Sequence, residues 1–169
     1  MAIDITKYDI DDSAKNLMDL MQGVLDRVVT SYASYGMPLP LRQYWTMGSP
    51  AMDCEQVVVS FIQMYLGQPG DQASRPNRCN SPRSAVLSVT VTREIPVVGS
   101  NGRAPEAAKI QKYGEVSALD AWILLESINL LDQWDELGTN GMGVIATIES
   151  LEPQGGLQTI NLQITMVVP

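Results

Sequence analysis

Apolar and polar residues change their period several times along this chain, and each change marks an element. Leu17, Leu20, Met21, Val24, Leu25, Val28, Val29 and Tyr32 recur at three- and four-residue spacing. That spacing gathers them on one stripe of an amphipathic helix. Asp11, Asp12 and Ser13 offer capping side chains and negative charge to its start. Gly36 and the Met37-Pro38-Leu39-Pro40 stretch stop it, so the helix is predicted over about 13–34.

The period then shortens. Residues 41–47, with Tyr44 and Trp45, predict a short strand closed by Gly48-Ser49-Pro50. A longer strand is predicted over 54–66, with Val57, Val59, Phe61 and Tyr65 on one face and Val58, Ile62, Met64 and Leu66 on the other. A strand apolar on both faces is expected to be covered on both. Residues 67–82 are rich in Gly, Pro, Asn and Asp and predict a loop. Loops of this length without structure of their own are often functional, which makes this one a candidate contact arm; the alternative is an inert surface loop. From 84 to 95, Ala85, Leu87, Val89, Val91 and Ile95 alternate with Ser88, Thr90, Thr92 and Glu94, as in a half-exposed antiparallel strand. Pro96 and the Gly99-Ser100-Asn101-Gly102 segment end it.

Pro105 and Glu106 open a second helix. Ala118, Ala121, Leu124, Leu125, Ile128 and Leu131 form a stripe that Leu119, Trp122, Ile123, Leu130 and Trp134 widen beyond a single face. So wide an apolar surface is expected to meet more than one partner, a second subunit included. Gly114 is the position where this helix would kink or split, and 138–143 ends it. Two strands, about 143–151 and 157–168, close the chain around Gly155-Gly156, whose freedom at positive φ suits a tight hairpin. The order helix, strands, helix, hairpin predicts one α+β domain over 1–169: a mostly antiparallel sheet of four to five strands packed with two helices.

Composition adds an expectation about partners. Charged residues are only 18% of the chain, below the usual quarter, as when part of a surface is hidden against other chains. The net charge is −8 and the eleven basic residues are scattered, so no phosphate-binding patch forms. An acidic surface repels DNA, which suits a channel through which DNA slides; it also simply keeps a chain soluble. No apolar run reaches the roughly 18 residues of a membrane span. Met1-Ala2-Ile3-Asp4 does not resemble a signal peptide, which places synthesis and assembly in a cytoplasm.

Candidate chemistry is sparse. There is no histidine, which removes His-based triads and the commonest general base and metal ligand. No glycine-rich phosphate loop is present. Asp53 and Glu55 would share a strand face and could hold a cation, but a solvated strand start explains them more simply. Asp132, Asp135 and Glu136 read as a solvent-facing helix end, at the unfavourable pole of the helix dipole unless a neighbour's Arg or Lys relieves them. Cys54 and Cys79 are too few for zinc; they read as unreactive thiols or, in a particle outside the cell, as a disulfide. Trp45, Trp122 and Trp134 read as core or interface. No catalytic residue, cofactor or metal is therefore expected. The candidate inter-subunit contacts are Trp45, Arg75, Arg78, Trp122, Ile123, Leu130 and Trp134.

One family layout is close to this one. An amphipathic helix and an aromatic segment precede Cys54-Glu55-Gln56, which opens the long apolar strand. Then come Arg75-Pro76 and Cys79, then Arg93-Glu94-Ile95-Pro96, then Gly102 and Pro105 before a long helix, and last a hairpin with Pro153 and Gly155-Gly156. In these features the chain resembles the tail-terminator or neck (head-to-tail joining) proteins of long-tailed, siphovirus-type bacteriophages, particularly those of actinobacteria. The resemblance implies a virion protein forming a homo-oligomeric ring, typically of six copies. Such a ring stops growth of the tail tube, meets a head completion or neck protein, and lets DNA through its lumen without specific binding. A head-side neck protein or another tail component is the nearest alternative. A small-ligand-binding α+β domain and an enzyme using only carboxylates or tyrosine are the others.

Overall fold

A computed structural model describes residues 12–70, 82–98, 102–129 and 144–168. The elements in chain order are α1 (Asp12–Ser34), β1 (Arg42–Met47), β2 (Gln56–Leu66), β3 (Arg83–Glu94), α2 (Ala107–Asn129), β4 (Ile145–Ser150) and β5 (Leu157–Val168). The five strands make one sheet in the order β1-β2-β3-β5-β4. Every pairing is antiparallel except β1 with β2. The fold is α+β.

Both helices lie on one face of the sheet. Leu20, Met21, Val24 and Val28 of α1 and Ile123, Leu124 and Ile128 of α2 pack on Val57, Val59, Leu87, Val89, Leu162 and Ile164 in one cluster. Burying each such side chain contributes about 1.5–3 kcal/mol, and the cluster spans all the central strands. α1 ends as its glycine requires. Gly36 adopts a φ of 63°, and the amides of Gly36 and Met37 donate back to the carbonyls of Ala33 and Tyr32 at 3.1 Å each. This is the Schellman arrangement, which satisfies two terminal carbonyls. α2 runs through Gly114 without a break, so that glycine does not split it. The expected extension of this helix towards 138, and with it Asp132, Asp135 and Glu136, lies outside the described residues, as does most of the 67–82 loop.

Two expectations about faces need correction. A register shift between Phe61 and Gln63 interrupts the β2–β3 ladder. Before it, Val57, Val59 and Phe61 face the helices. Beyond it, Met64 pairs with Ala85 and Tyr65 with Ser84. An extra residue in a period-two strand moves all that follow to the other face, so Met64 joins the helix side and Tyr65 leaves it. Nor is β2 covered along its whole length: Ile62, Met64 and Leu66 remain 46%, 39% and 45% exposed.

The second correction concerns β3, whose polar face is buried rather than exposed. Ser84, Ser88, Thr90 and Thr92 are all shielded. The parallel β1–β2 pair supplies part of the reason. The chain must return from the end of β1 to the start of β2, and residues 48–55 do so across the face away from the helices. Met52 there accepts hydrogen bonds from the hydroxyls of Thr92 and Thr159 at 3.7 and 3.9 Å. Beneath it most of the polar groups satisfy one another, the buried Ser60 hydroxyl being the exception. Thr92 and Thr159 share a hydrogen bond of 3.0 Å, Ser88 donates to Asn161, and Asn161 donates to Glu149 at 3.0 Å. Buried polar side chains are, as a rule, paired in this way.

The closing hairpin forms as expected. Gly155 and Gly156 have φ of 58° and 83°, and Gln154 and Leu157 bond reciprocally at 2.9 Å across them. No helix among the described residues is long and apolar enough to cross a membrane.

Candidate functional site

Two features stand out, one inside the molecule and one on its surface. The internal one joins three elements through charge. Arg93 follows Ala85, Leu87, Val89 and Val91 on the helix-facing side of β3 and meets Asp120 of α2. Its Nε and Nη2 donate to Oδ2 and Oδ1 of Asp120 at 2.6 and 2.9 Å, a two-pronged pairing. Nη2 also donates to the carbonyl of Pro38 at 2.9 Å. Tyr32 of α1 donates its hydroxyl to the same carboxylate at 2.9 Å. Asp120 is 1% exposed and Tyr32 fully buried. Burial first, then the adjacent Asp120 carboxylate, pushes the Tyr32 hydroxyl far above the ordinary tyrosine value. Burial works against the Arg93 charge, but its hydrogen bonds to Asp120 and that residue's charge outweigh it and keep the guanidinium pKa raised. The Asp120 carboxylate thus answers both Arg93 and Tyr32. The arrangement is a clamp on the helix pair.

The surface feature is an apolar groove of about 950 Å³. One wall is the first half of α2, from Ile110 and Tyr113 to Ala118. The other is the 95–98 segment with Pro153 and Ile160 of the closing hairpin. Small residues at helical spacing on α2 (Gly114, Ser117, Ala118 and Ala121) hold the groove open. The far wall is tied to the hairpin by the Ile95 amide, which donates to the carbonyl of Gly156 at 2.8 Å. No charged side chain lines the groove. Val97, Val98 and Ile110 stand more than half exposed at its rim. Around the helix from it, Leu119 and Trp122 are 49% and 55% exposed.

The predicted contact residues separate. Trp122 is on the outer face of α2, where a partner can reach it. Ile123 is not. At 1% exposure it belongs to the core, because a step of one residue around a helix turns its side chain by about 100°. Trp45 is half-buried; its ring packs on the core and its Nε1 donates to Gln22 of α1 at 3.1 Å, so it ties the β1 edge to the helix. Arg75, Arg78, Leu130 and Trp134 lie outside the described residues. The sulfur of Cys54 accepts from Arg42 at 3.2 Å; Cys79, its expected partner in a disulfide, lies outside the described residues. Asp53 pairs with Arg42 at 2.9 Å, and Glu55 accepts from the Glu94 amide at 3.0 Å. These two carboxylates thus serve different partners and do not converge on a cation. Among the described residues no group of three or more Cys, Asp or Glu could hold a metal.

With this geometry in view, the chain was compared with known proteins. No family model matches it, and no curated protein matches it.

Proposed function

We propose that this chain is a structural, non-catalytic subunit that closes with copies of itself into a ring, and that the ring is the head-proximal terminator or neck of a long phage tail. The observation that carries the reading is the outer face of α2. Leu119 and Trp122 are about half exposed on a helix whose other side is already packed into the core. Large aromatics left open on a lightly charged surface are characteristic anchors of protein–protein contacts. A ring also needs two different surfaces on each copy. The sheet ends in two different edges, β1 on one side and β4 on the other. The assignment to a phage tail comes from the resemblance of layout, together with an acidic surface that suits a lumen for DNA. In that role the ring stops tube growth on one side and meets a head completion or neck protein on the other.

Light scattering after size exclusion, with negative-stain imaging, tests the ring. The expected result is a closed multimer of about six copies. Mixing with purified tail tubes and with tail-less heads then separates a terminator from a head-side neck protein. A chain that stays monomeric at high concentration, and also in the presence of tail tubes, overturns the proposal.

The groove favours one second reading, a small-ligand-binding domain, since its volume falls within the usual range of small-molecule sites. That reading predicts a raised melting temperature with an apolar ligand and no multimer.

A further inference from the structure

Among the described residues, no strand pairs with the outer side of β1 or of β4. These two edges are alike in build. Each is six residues long, and neither contains proline or glycine. Their ladders run without a register shift. Met47 of β1 and Ile145 of β4 stand 58% and 44% exposed. An open edge offers its unused amides and carbonyls to another strand, and chains that stay single blunt such edges with proline, bulges or charge. Here each edge carries one charge, and the two are opposite: Arg42 on β1 and Glu149 on β4.

The edges also match in direction and in face. β1 runs with β2, β2 against β3, β3 against β5 and β5 against β4, so β1 and β4 run in opposite directions. A rotation about an axis along the strands keeps those directions in every copy. It sets β1 of one copy beside β4 of the next as an antiparallel pair, with both helix layers on the same side. Trp45 on β1 and Ala146 and Ile148 on β4 point to the helix side, where all three pack on the core. Arg42, level with Gln56, and Glu149, bonded to Asn161, point to the other side. Registers that keep the faces together differ by steps of two residues. The two with the longest overlap put Trp45 opposite Ala146 or opposite Ile148. In the first, Arg42 lies directly across from Glu149; in the second it is diagonal to it, within reach of two long side chains. We infer that β1 of one copy joins β4 of the next, so that the sheet runs unbroken from subunit to subunit. The inference rests on the ring reading and names its joint. A two-fold pairing of β1 with β1 would leave both β4 edges open, whereas the head-to-tail joint leaves none once the ring closes. The backbone ladder and the side chains across it carry the affinity. The exposed charge pair adds little to it and selects the partner strand and its register.

Paired cysteines test the joint. Thr147→Cys on β4 combined with Tyr44→Cys on β1 reports the first register, and combined with Thr46→Cys the second, because residues opposite one another on antiparallel strands lie within disulfide reach. The two positions sit at opposite edges of one subunit, so a bond between them joins two copies. Mild oxidation of the assembled protein is expected to give a ladder of covalent multimers in one of the two combinations and none in the single-cysteine variants. Charge reversal is the second measurement. Arg42→Glu and Glu149→Arg are each expected to weaken association about three- to tenfold, and the double reversal to restore it to within about twofold. Thermal melting of the dilute variants confirms that they fold. Wild-type multimers with no cross-link in either combination, or reversals that the double variant does not rescue, overturn this joint and leave the ring standing. A monomeric wild type overturns the ring and the joint together.

Discussion

Asp120 sits where an apolar residue would be expected, one turn before Leu124 on the packed face of α2. Its carboxylate answers both Arg93 and Tyr32, so removing it leaves a guanidinium largely out of water with no counter-charge. Uncompensated charges of that kind cost about 3–5 kcal/mol. Asp120→Ala is expected to lower stability by about that amount in urea or guanidinium unfolding. Asp120→Asn should recover part of the loss, because it still accepts from Tyr32. Tyr32 adds a pH signature. Its folded pKa lies above the unfolded value of about 10, so its contribution is complete below pH 10 and is lost as the pH rises towards the folded value. Stability measured between pH 9 and 11 should fall more steeply in the wild type than in Tyr32→Phe; parallel curves would refute the assignment. The pair was half-legible in the sequence. Arg93 continues the series Ala85, Leu87, Val89 and Val91, so alternation alone sends it inward. Nothing in the sequence says which acid meets it, because that depends on how α2 lies across the sheet.

At the scale of elements, legibility follows period. α1, β3 and the Gly155-Gly156 hairpin were readable because helical spacing, strict alternation and positive-φ glycines are local signals. The β2 bulge was not, since a one-residue slip at Ile62 shows only against the partner strand. Burial of the Ser/Thr face was equally hidden, because the 48–55 return passes over it only once β1 and β2 pair in parallel. The groove needs α2, the 95–98 segment and the hairpin together, and so has no signature of its own in the chain. Two glycines give opposite predictions. Gly114 lies inside α2 with nothing within 4 Å of an added Cβ. Gly114→Ala should therefore raise monomer stability by about 0.5–1 kcal/mol through a less flexible unfolded chain. Gly156 has a φ of 83°, and an added Cβ would press on Val97 at 3.0 Å. Gly156→Ala should lower the melting midpoint and disturb the groove wall. Thermal melts of the two variants beside the wild type check both signs.

For the whole molecule, charge and greasiness oppose each other. Association between copies at −8 is resisted by their mutual field, and salt screens that field. The proposed multimer is expected to strengthen between about 20 and 300 mM salt, measured by analytical ultracentrifugation. Weakening over that range would point instead to interfaces built on ion pairs. Trp122→Ser should reduce association while leaving the melting of the isolated chain almost unchanged, since the side chain is more than half exposed. The position of β5 carries a consequence for timing. It is last in sequence yet lies between β3 and β4, and its Ile160 and Gln158 help wall the groove. During synthesis the sheet stays divided until those residues leave the ribosome, and the groove lacks its far wall before then. A chain halted before Gln158 therefore has neither a continuous sheet nor a walled groove.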